Sequence, residues 1–281
     1  MFSQRIIKDE TLQIIIEMMK EGSVVERIFI RRSTELNREK SVKALQQLNI
    51  GVTGLGRNVG TTIVASSLAF FFADKGNSVT FSQCLTPSTC DRLFYDAVAM
   101  EQRFSGRGFT DVYRLLIEQK PVRNVRNREM GINWLLPTPW VIEQGADLSG
   151  MQRAHLIQSA RDDVCIFDLA ASAEWDAFLT DMDRLIVVVD PQPSKLIRHR
   201  DRFRMLKLTE LSGIETRWIV NHMNSGVSRR QVKGYLKNHR LFWMPELDVS
   251  GFYADEYACR FPWENKEIRC KFMEIFTKVS Q

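Results

Sequence analysis

The sequence contains few cysteines, and their spacing excludes two classes of cross-linked protein. Only five of the 281 residues are cysteine, and none of them forms a C-x-x-C pair or a cluster with histidine. Disulfide frameworks and structural zinc sites both depend on such spacing. We therefore predict free thiols and a reducing, cytoplasmic environment.

Long apolar runs are also missing. No stretch approaches the ~20 consecutive apolar residues that a membrane-spanning helix needs. Residues Met1–Lys8 are not followed by the apolar core and small-residue cleavage site of a secretion signal. We expect a cytoplasmic protein that is at most peripheral to the inner face of the membrane.

Histidine is scarce and scattered, with four residues in the whole chain. No Ser-His-Asp or Cys-His arrangement can be assembled from the sequence, so a hydrolase triad is not indicated.

Basic residues outnumber acidic ones, which gives the chain a net charge of +5. It is concentrated in Arg123–Arg128, Arg198–Lys207 and Arg229–Arg240. Such bursts are typical of solvated helix faces, and they also permit a polyanionic partner.

The chain begins with a short segment that differs from the rest. Residues 1–47 predict a helix around Asp9–Lys20, a strand at Val24–Ile30 and a helix from Ser33 to Gln46. A segment of this length is too short to bury a full core of its own. We therefore predict an N-terminal extension to a larger domain.

Residues 48–281 alternate apolar strands with helical patterns. The runs Val164–Asp168 and Arg184–Asp190 are continuously apolar rather than alternating. This pattern is typical of strands that helices cover on both faces. The domain is therefore predicted to be an α/β fold with a doubly wound, mainly parallel sheet.

A glycine-rich stretch follows the first strand of this domain. It reads Gly54-Leu55-Gly56-Arg57-Asn58-Val59-Gly60-Thr61-Thr62 and leads into a helical pattern over Thr61–Lys75. A loop between a strand and a helix directs backbone N–H groups into one concavity, and the helix N-terminus favours an anion. The stretch predicts a phosphate-binding loop. The alternative is a glycine turn that only allows close helix–strand packing.

The loop departs from the usual pattern G-x-x-x-x-G-K-[ST], in which the lysine holds the outer phosphates and the hydroxyl holds Mg²⁺. Gly60 and Thr62 match, whereas Thr61 stands at the lysine and Leu55 at the first glycine. The dinucleotide motif G-x-G-x-x-G fits worse, because Val59 stands at its third glycine. At this point the chain resembles the MinD/ParA group of P-loop ATPases, whose loop reads K-G-G-V-G-K-T-T. The resemblance extends from Leu48 to about Val279.

This resemblance implies ATP and Mg²⁺ as ligands. Asp168 ends a strand similar to the family strand whose last aspartate holds Mg²⁺ through water, with Thr62 as the second metal ligand. Asn221 ends a strand whose asparagine reads the adenine base in the family. Because the family dimerises face to face across the nucleotide, a homodimer is also implied. The nucleotide-binding residues by this resemblance are Gly56, Arg57, Asn58, Val59, Gly60, Thr61, Thr62 and Asn221.

Three charged positions of the family are replaced in this chain. Gly56 stands at the signature lysine that reaches across the dimer, Thr61 at the loop lysine, and Gln83 at the aspartate that orients the attacking water. Electrostatic stabilisation of the phosphoryl group is the main contribution of such an enzyme, so we predict weak or absent hydrolysis. The degenerate loop is similar to that of the TadZ/CpaE branch of the family.

Three functions are compatible with these residues. The first is an ATP-dependent spatial organiser that recruits an unidentified protein partner and hydrolyses ATP slowly or not at all. The second is a pseudo-ATPase scaffold that acts only through protein contacts. The third is an active ATPase in which Arg57 replaces the missing lysines, since a guanidinium is a good phosphate ligand.

Two later segments permit further contacts. Ser228–Arg240 reads as a basic helix, which is either a solvated face or a non-specific DNA contact. Trp263–Val279 has apolar residues at helical spacing, and we expect this helix to pack on the sheet, with contact to a membrane surface as the alternative.

Overall fold

The computed structural model describes residues 47–85, 108–122, 125–138, 141, 147–237, 240–258 and 260–280. The helix, strand and helix predicted within residues 1–46 lie outside the described residues, and their arrangement stays a prediction. The strands of the described part are β1 (Leu48–Gly54), β2 (Val79–Cys84), β3 (Arg128–Glu129), β4 (Ile132–Leu135), β5 (Val164–Leu169), β6 (Arg184–Val189), β7 (Glu215–Met223) and β8 (Leu241–Pro245).

Helices connect most of these strands. They are α1 (Thr61–Asp74), α2 (Val112–Ile117), α3 (Gly150–Ser159), α4 (Ala173–Asp176), α5 (Pro193–Arg198), α6 (Arg200–Leu211), α7 (Arg229–Leu236), α8 (Val249–Tyr257) and α9 (Lys266–Val279), with short 3-10 turns at Leu179–Asp181 and Pro262–Glu264. Gly76 follows the end of α1 with a φ of 85°, a left-handed conformation that favours glycine and ends a helix.

The strands form one sheet in the order β3-β4-β2-β5-β1-β6-β7-β8. All neighbouring pairs are parallel except β3 and β4, which are antiparallel. From β1 the chain moves first to one side of the sheet and later to the other, so the carboxyl end of β1 lies at a topological switch point. The predicted doubly wound, mainly parallel sheet is confirmed.

Helices cover both faces of the sheet, as the continuous apolar runs predicted. In β6, Ile186 and Val188 belong to one hydrophobic cluster, whereas Leu185, Val187 and Val189 belong to another. Successive side chains of a strand point to opposite faces. Each face of β6 is therefore buried, and the apolar run has no solvent-facing side.

The C-terminal helix α9 packs on the sheet. Its apolar stripe is buried in the same cluster as α1 and contacts β8. Burial of each large side chain contributes about 2–3 kcal/mol relative to exposure. The expected packing of this segment is thus confirmed, and the stripe consists of Ile268, Phe272, Ile275, Phe276 and Val279.

Candidate functional site

The carboxyl ends of six strands, β1, β2 and β5 to β8, line one cavity of about 1440 Å³. The loop after β1 forms part of its wall, beside Gln83 from β2, Asp168 from β5, Asp190 after β6 and Asn221 from β7. In the register of the sheet, Gln83 lies directly opposite Asp168. Residues that are far apart in the sequence therefore meet where parallel strands end, which is the usual ligand position in open α/β sheets.

The backbone of the loop adopts the bent conformation of an anion-binding turn. Gly60 has a φ of 88° and immediately precedes α1, and no side chain caps the first turn of that helix. Asn58 is also left-handed, with a φ of 54°. A left-handed turn before an uncapped helix leaves the first amides of the helix available to an anion. This geometry favours the phosphate-loop interpretation over a simple packing turn.

Asn221 is bound to this loop. Its Nδ2 donates a hydrogen bond to the Val59 carbonyl oxygen at 2.9 Å, and the contact is buried. A Cβ atom on Gly60 would lie 2.3 Å from the same Nδ2, so only glycine fits there. The amide predicted to read adenine therefore fastens β7 to the loop, and its role toward a base stays a prediction.

Thr62 and Asp168 form the candidate metal position. Asp168 is buried at the end of β5 and accepts a hydrogen bond from the Thr62 hydroxyl. Burial raises the pKa of Asp168 to about 7, and this hydrogen bond opposes the shift. A hydroxyl and one carboxylate suit Mg²⁺, which keeps several waters and binds phosphate oxygens. The two residues fit the ion that the sequence implies.

No cluster of three or more acidic, histidine or cysteine side chains with metal-binding geometry occurs in the described ranges. A self-sufficient protein cage for a metal is therefore not found there. The Thr62–Asp168 pair would hold Mg²⁺ together with a nucleotide, and the ion would neutralise phosphate charge.

The side chain of His199 occupies the space beside Gly56. A Cβ on Gly56 would lie 2.3 Å from His199 Nε2, so a side chain at this position would collide with the imidazole ring. Burial lowers the pKa of His199, and the charges of Arg198, Arg202 and Lys195 lower it further. The ring is therefore neutral at pH 7. The position that the resemblance matches to the signature lysine thus carries glycine, with a neutral ring beside it.

Thr61 and Arg57 differ in where their side chains lie. Thr61 Oγ1 would be 2.8 Å from a Cβ on Gly54, so this hydroxyl packs against the base of the loop. Arg57 is exposed and contributes to the cavity wall. Of these two predicted contacts, Arg57 is the one with a cation that can reach a ligand in the cavity.

Arg202 anchors the loop from α6, and the sequence analysis did not single it out. Its Nε donates to the Gly54 carbonyl oxygen at 2.8 Å and its guanidinium also donates to Thr53 Oγ1 at 2.9 Å. The same guanidinium forms an ion pair with Asp176. Burial raises the pKa of Asp176, and the charge of Arg202 opposes this shift. Arg202 therefore fixes the start of the loop to two other parts of the fold.

A second polar group lies on the neighbouring strands. Asp190 Oδ2 accepts hydrogen bonds from Lys195 Nζ at 2.7 Å and pairs with His222 Nδ1 at 3.1 Å, while Oδ1 accepts from the Gln192 amide at 2.9 Å. Burial would raise the pKa of Asp190, but these hydrogen bonds outweigh it and hold that pKa well below its usual range. We refer to Asp190, Lys195 and His222 as the Asp190 cluster.

The far end of the cavity has an apolar patch with charged groups around it. Beyond β7 this patch consists of Met244 at the end of β8, Leu247 and Phe252 on α8. Apolar walls with a few polar groups are typical of small-molecule sites. The charged residues that line the same end of the cavity are Glu246, Asp255 and Arg260.

Among the described residues, no helix combines the length and apolarity required to cross a membrane. The basic helix α7 has Val232 and Leu236 buried, and the guanidinium of Arg229 lies 5.3 Å from the ring centre of Trp243. Contact between this helix and DNA stays a prediction.

No protein-family model and no curated protein sequence matches this chain. Solved structures do match. The MinC:MinD cell division complex of Aquifex aeolicus contains a chain with 15% identity and a TM-score of 0.61, covering 83% of this chain and 95% of that one.

Two further matches contain nucleotides. A putative plasmid partition protein from Borrelia burgdorferi B31, bound to AMPPNP, has 15% identity and a TM-score of 0.60 over 83% of this chain and 100% of that one. The septum site-determining protein MinD of Pyrococcus horikoshii, in complex with Mg-ADP, has 12% identity and a TM-score of 0.61 over 84% of this chain and 97% of that one. The chain thus has the fold of the MinD/ParA-type P-loop NTPases.

Proposed function

We propose that the protein is an ATP-dependent spatial organiser that binds Mg-ATP, recruits a protein partner and hydrolyses ATP slowly or not at all. The observation that carries this proposal is the loop of residues 54–62, bent by a left-handed Gly60 in front of the uncapped helix α1. Thr62, the last residue of this loop, and Asp168 beside it supply the kind of oxygen ligands that Mg²⁺ prefers.

Slow hydrolysis follows from the groups that face the phosphates. Phosphoryl transfer depends on cations that stabilise the transferring group and on a residue that orients the attacking water. Position 61 holds a threonine turned toward Gly54, and position 83 holds a buried, neutral glutamine. Binding requires fewer of these groups than catalysis does, because backbone amides and Mg²⁺ can hold phosphate on their own.

Self-association and a protein partner are part of the proposal. The matched MinD of Aquifex aeolicus was solved in complex with MinC, so a protein of this fold binds a protein partner in that organism. For this chain we propose a homodimer that forms across the bound nucleotide and presents a surface for the partner. Sedimentation velocity with and without Mg-ATP measures the fraction of dimer. We expect this fraction to rise when Mg-ATP is added.

Calorimetric titration with Mg-ATP, Mg-ADP and Mg-GTP tests the proposed ligand. We expect Mg-ATP to bind, and we expect Asp168→Ala to weaken binding without lowering stability, because the buried carboxyl is costly in the empty protein. Glu274→Ala is the matched control, since Glu274 is an exposed carboxylate on α9. If the parent protein binds none of the three nucleotides, the scaffold function replaces this proposal.

An active ATPase that uses Arg57 is the second candidate, because this exposed guanidinium lines the cavity. Phosphate release distinguishes it from the first. We expect release to be slow and to change little in Arg57→Ala. Rapid release that Arg57→Ala abolishes would establish the second candidate instead.

A further inference from the structure

The Asp190 cluster lies between the two ends of the cavity, and the functions considered above do not use it. Along the carboxyl edge of the sheet, the order of strands is β5, β1, β6, β7 and β8. The candidate phosphate and Mg²⁺ positions belong to β1 and β5, and the apolar patch of Met244, Leu247 and Phe252 belongs to β8 and the segment that follows it. Asp190 follows β6 and His222 belongs to β7, so both occupy the middle of this edge.

The backbone directs His222 into the cavity at an energetic cost. His222 has a φ of 55°, and the pairing of β7 with β8 is irregular between Val220 and Met223. A bulge of this kind changes the direction of a side chain, and a left-handed backbone conformation strains a non-glycine residue. His222 lines the cavity and its side chain is 39% exposed. Backbone strain at a residue that lines a cavity is typical of a functional site. It favours a contact between His222 and a ligand.

Asp190 determines which ring nitrogen of His222 faces that ligand. The carboxylate is buried, and its two oxygens already accept from the Gln192 amide, Lys195 and His222. An ionised carboxylate can only accept, so Nδ1 carries the proton in this pair. Nε2 is then the ring nitrogen that is left for a ligand. A hydroxyl group can pair with Nε2 in either protonation state, because a hydroxyl both donates and accepts.

We infer that His222, oriented by Asp190, binds a ribose hydroxyl of the nucleotide and makes the site selective for ribonucleotides over deoxyribonucleotides. This inference rests on the proposed function. In a nucleotide the sugar lies between the phosphates and the base, and its hydroxyls are the donors of that middle part. The Asp190 cluster lies between the loop that suits phosphate and the patch of Met244, Leu247 and Phe252, against which a base can pack.

Affinities for matched nucleotide pairs test this inference. Calorimetry compares Mg-ATP with its 2′-deoxy and 3′-deoxy forms, and Mg-GTP with Mg-2′-dGTP, so that the result does not depend on the base. We expect the parent protein to bind at least one deoxy form more weakly than the ribonucleotide, by roughly 3- to 10-fold, the effect of one hydrogen bond. In His222→Asn this ratio should fall to about one. Asparagine tolerates the left-handed backbone and has a shorter side chain.

A matched variant separates this contact from a merely structural role. His155→Asn changes an exposed histidine on α3 and should keep the parent ratio. Equal affinity of the parent for ribose and deoxyribose forms would overturn the inference while leaving the proposed function in place. A parent-like ratio in His222→Asn would also overturn it, even if that variant is less stable. Failure of every nucleotide to bind would overturn both.

Discussion

The phosphate loop and the Asp190 cluster occupy adjacent strand ends, yet they differ in how far their buried carboxyl groups are stabilised in the charged form. At the loop, glycine, threonine and glutamine occupy the positions that the family resemblance matches to charged residues. The buried Asp168 beside them has a raised pKa. At the cluster, a buried carboxylate keeps its charge because Lys195, His222 and a backbone amide donate to it. Under the proposed function, fixed charge would be retained beside the middle of the nucleotide and reduced beside the transferring phosphate. We propose that this distribution suits binding better than catalysis.

The largest effect we expect is a difference in how pH acts on the two carboxylates. Burial raises the pKa of Asp168 to about 7 in the folded protein, against about 3.9 for an ordinary aspartate. The stabilisation from protonated Asp168 is therefore complete below about pH 4. It declines by about 1.4 kcal/mol per pH unit as the pH rises from about 4, and it is lost once the pH has passed 7. Asp190 has a lowered pKa, so its contribution is present above about pH 4 and is lost as the pH falls.

Urea unfolding between pH 4.5 and 7.5, without Mg²⁺ or nucleotide, measures this difference. Asp168→Asn should remove the decline toward neutral pH and be more stable than the parent at pH 7.5. Asp190→Asn should keep the decline and be less stable throughout. The comparison fails if the two variants have the same pH profile.

The next effect concerns the anchor of the loop. Arg202→Met removes two hydrogen bonds to the loop strand and leaves Asp176 without its ion pair. Because the side chains of Arg202 and Asp176 are only 12% and 19% exposed, we expect a loss of about 3 kcal/mol. Arg204→Met is the control on the same helix, since its pair with Asp201 is exposed and is worth less than about 1 kcal/mol.

A double variant sharpens this test of Arg202. Arg202→Met combined with Asp176→Asn should recover part of the loss, because no uncompensated charge remains. Equal losses in Arg202→Met and Arg204→Met, measured by urea unfolding, would mean that the loop does not depend on this anchor.

A smaller effect distinguishes two glycines with similar backbone angles. Gly60 and Gly76 have φ values of 88° and 85°, but a Cβ would collide with Asn221 at position 60 and meets nothing within 4 Å at position 76. Gly76→Ala should cost about 1 kcal/mol from the backbone alone. Gly60→Ala should cost about 2 kcal/mol, because the Asn221 hydrogen bond is also lost. Thermal unfolding compares them, and equal costs would contradict the contact with Asn221.

The smallest effect concerns the site beside His199. Gly56→Lys should lower stability by about 1 kcal/mol, since any side chain at position 56 must displace the imidazole. His199→Ala should restore most of this loss when both changes are combined. Melting temperatures of the single and double variants measure the coupling. Additive changes would show that the ring moves aside freely.

The sequence predicted the sheet well because both faces of its central strands are buried. A run such as Arg184–Val189 has no polar face, and only a parallel sheet between helices accommodates it. The glycine loop was equally visible, since glycine spacing between a strand and a helix reports backbone geometry directly. The end strands β3 and β8 were not predicted, because two residues carry no periodicity and a short apolar run that ends in proline does not by itself indicate a strand.

The supporting contacts of the site could not be read from the sequence. Arg202 binds the carbonyl of Gly54 across 148 positions of the chain, and nothing local marks it among the arginines of a basic segment. His222 and Asp190 are 32 positions apart and become neighbours only because β6 and β7 pair. Local patterns report backbone geometry, whereas these partnerships depend on strand order.

The two-residue strand β3 has a consequence for how copies of this fold meet. An exposed strand edge can pair with another chain and lead to aggregation, and short, charged edge strands reduce that risk. Among the described strands, β3 ends the sheet with the two residues Arg128 and Glu129, and Arg128 forms an ion pair with Asp162 at 2.5 Å. A strand of two residues offers an incoming strand a short edge. A second copy therefore gains little by extending the sheet at β3.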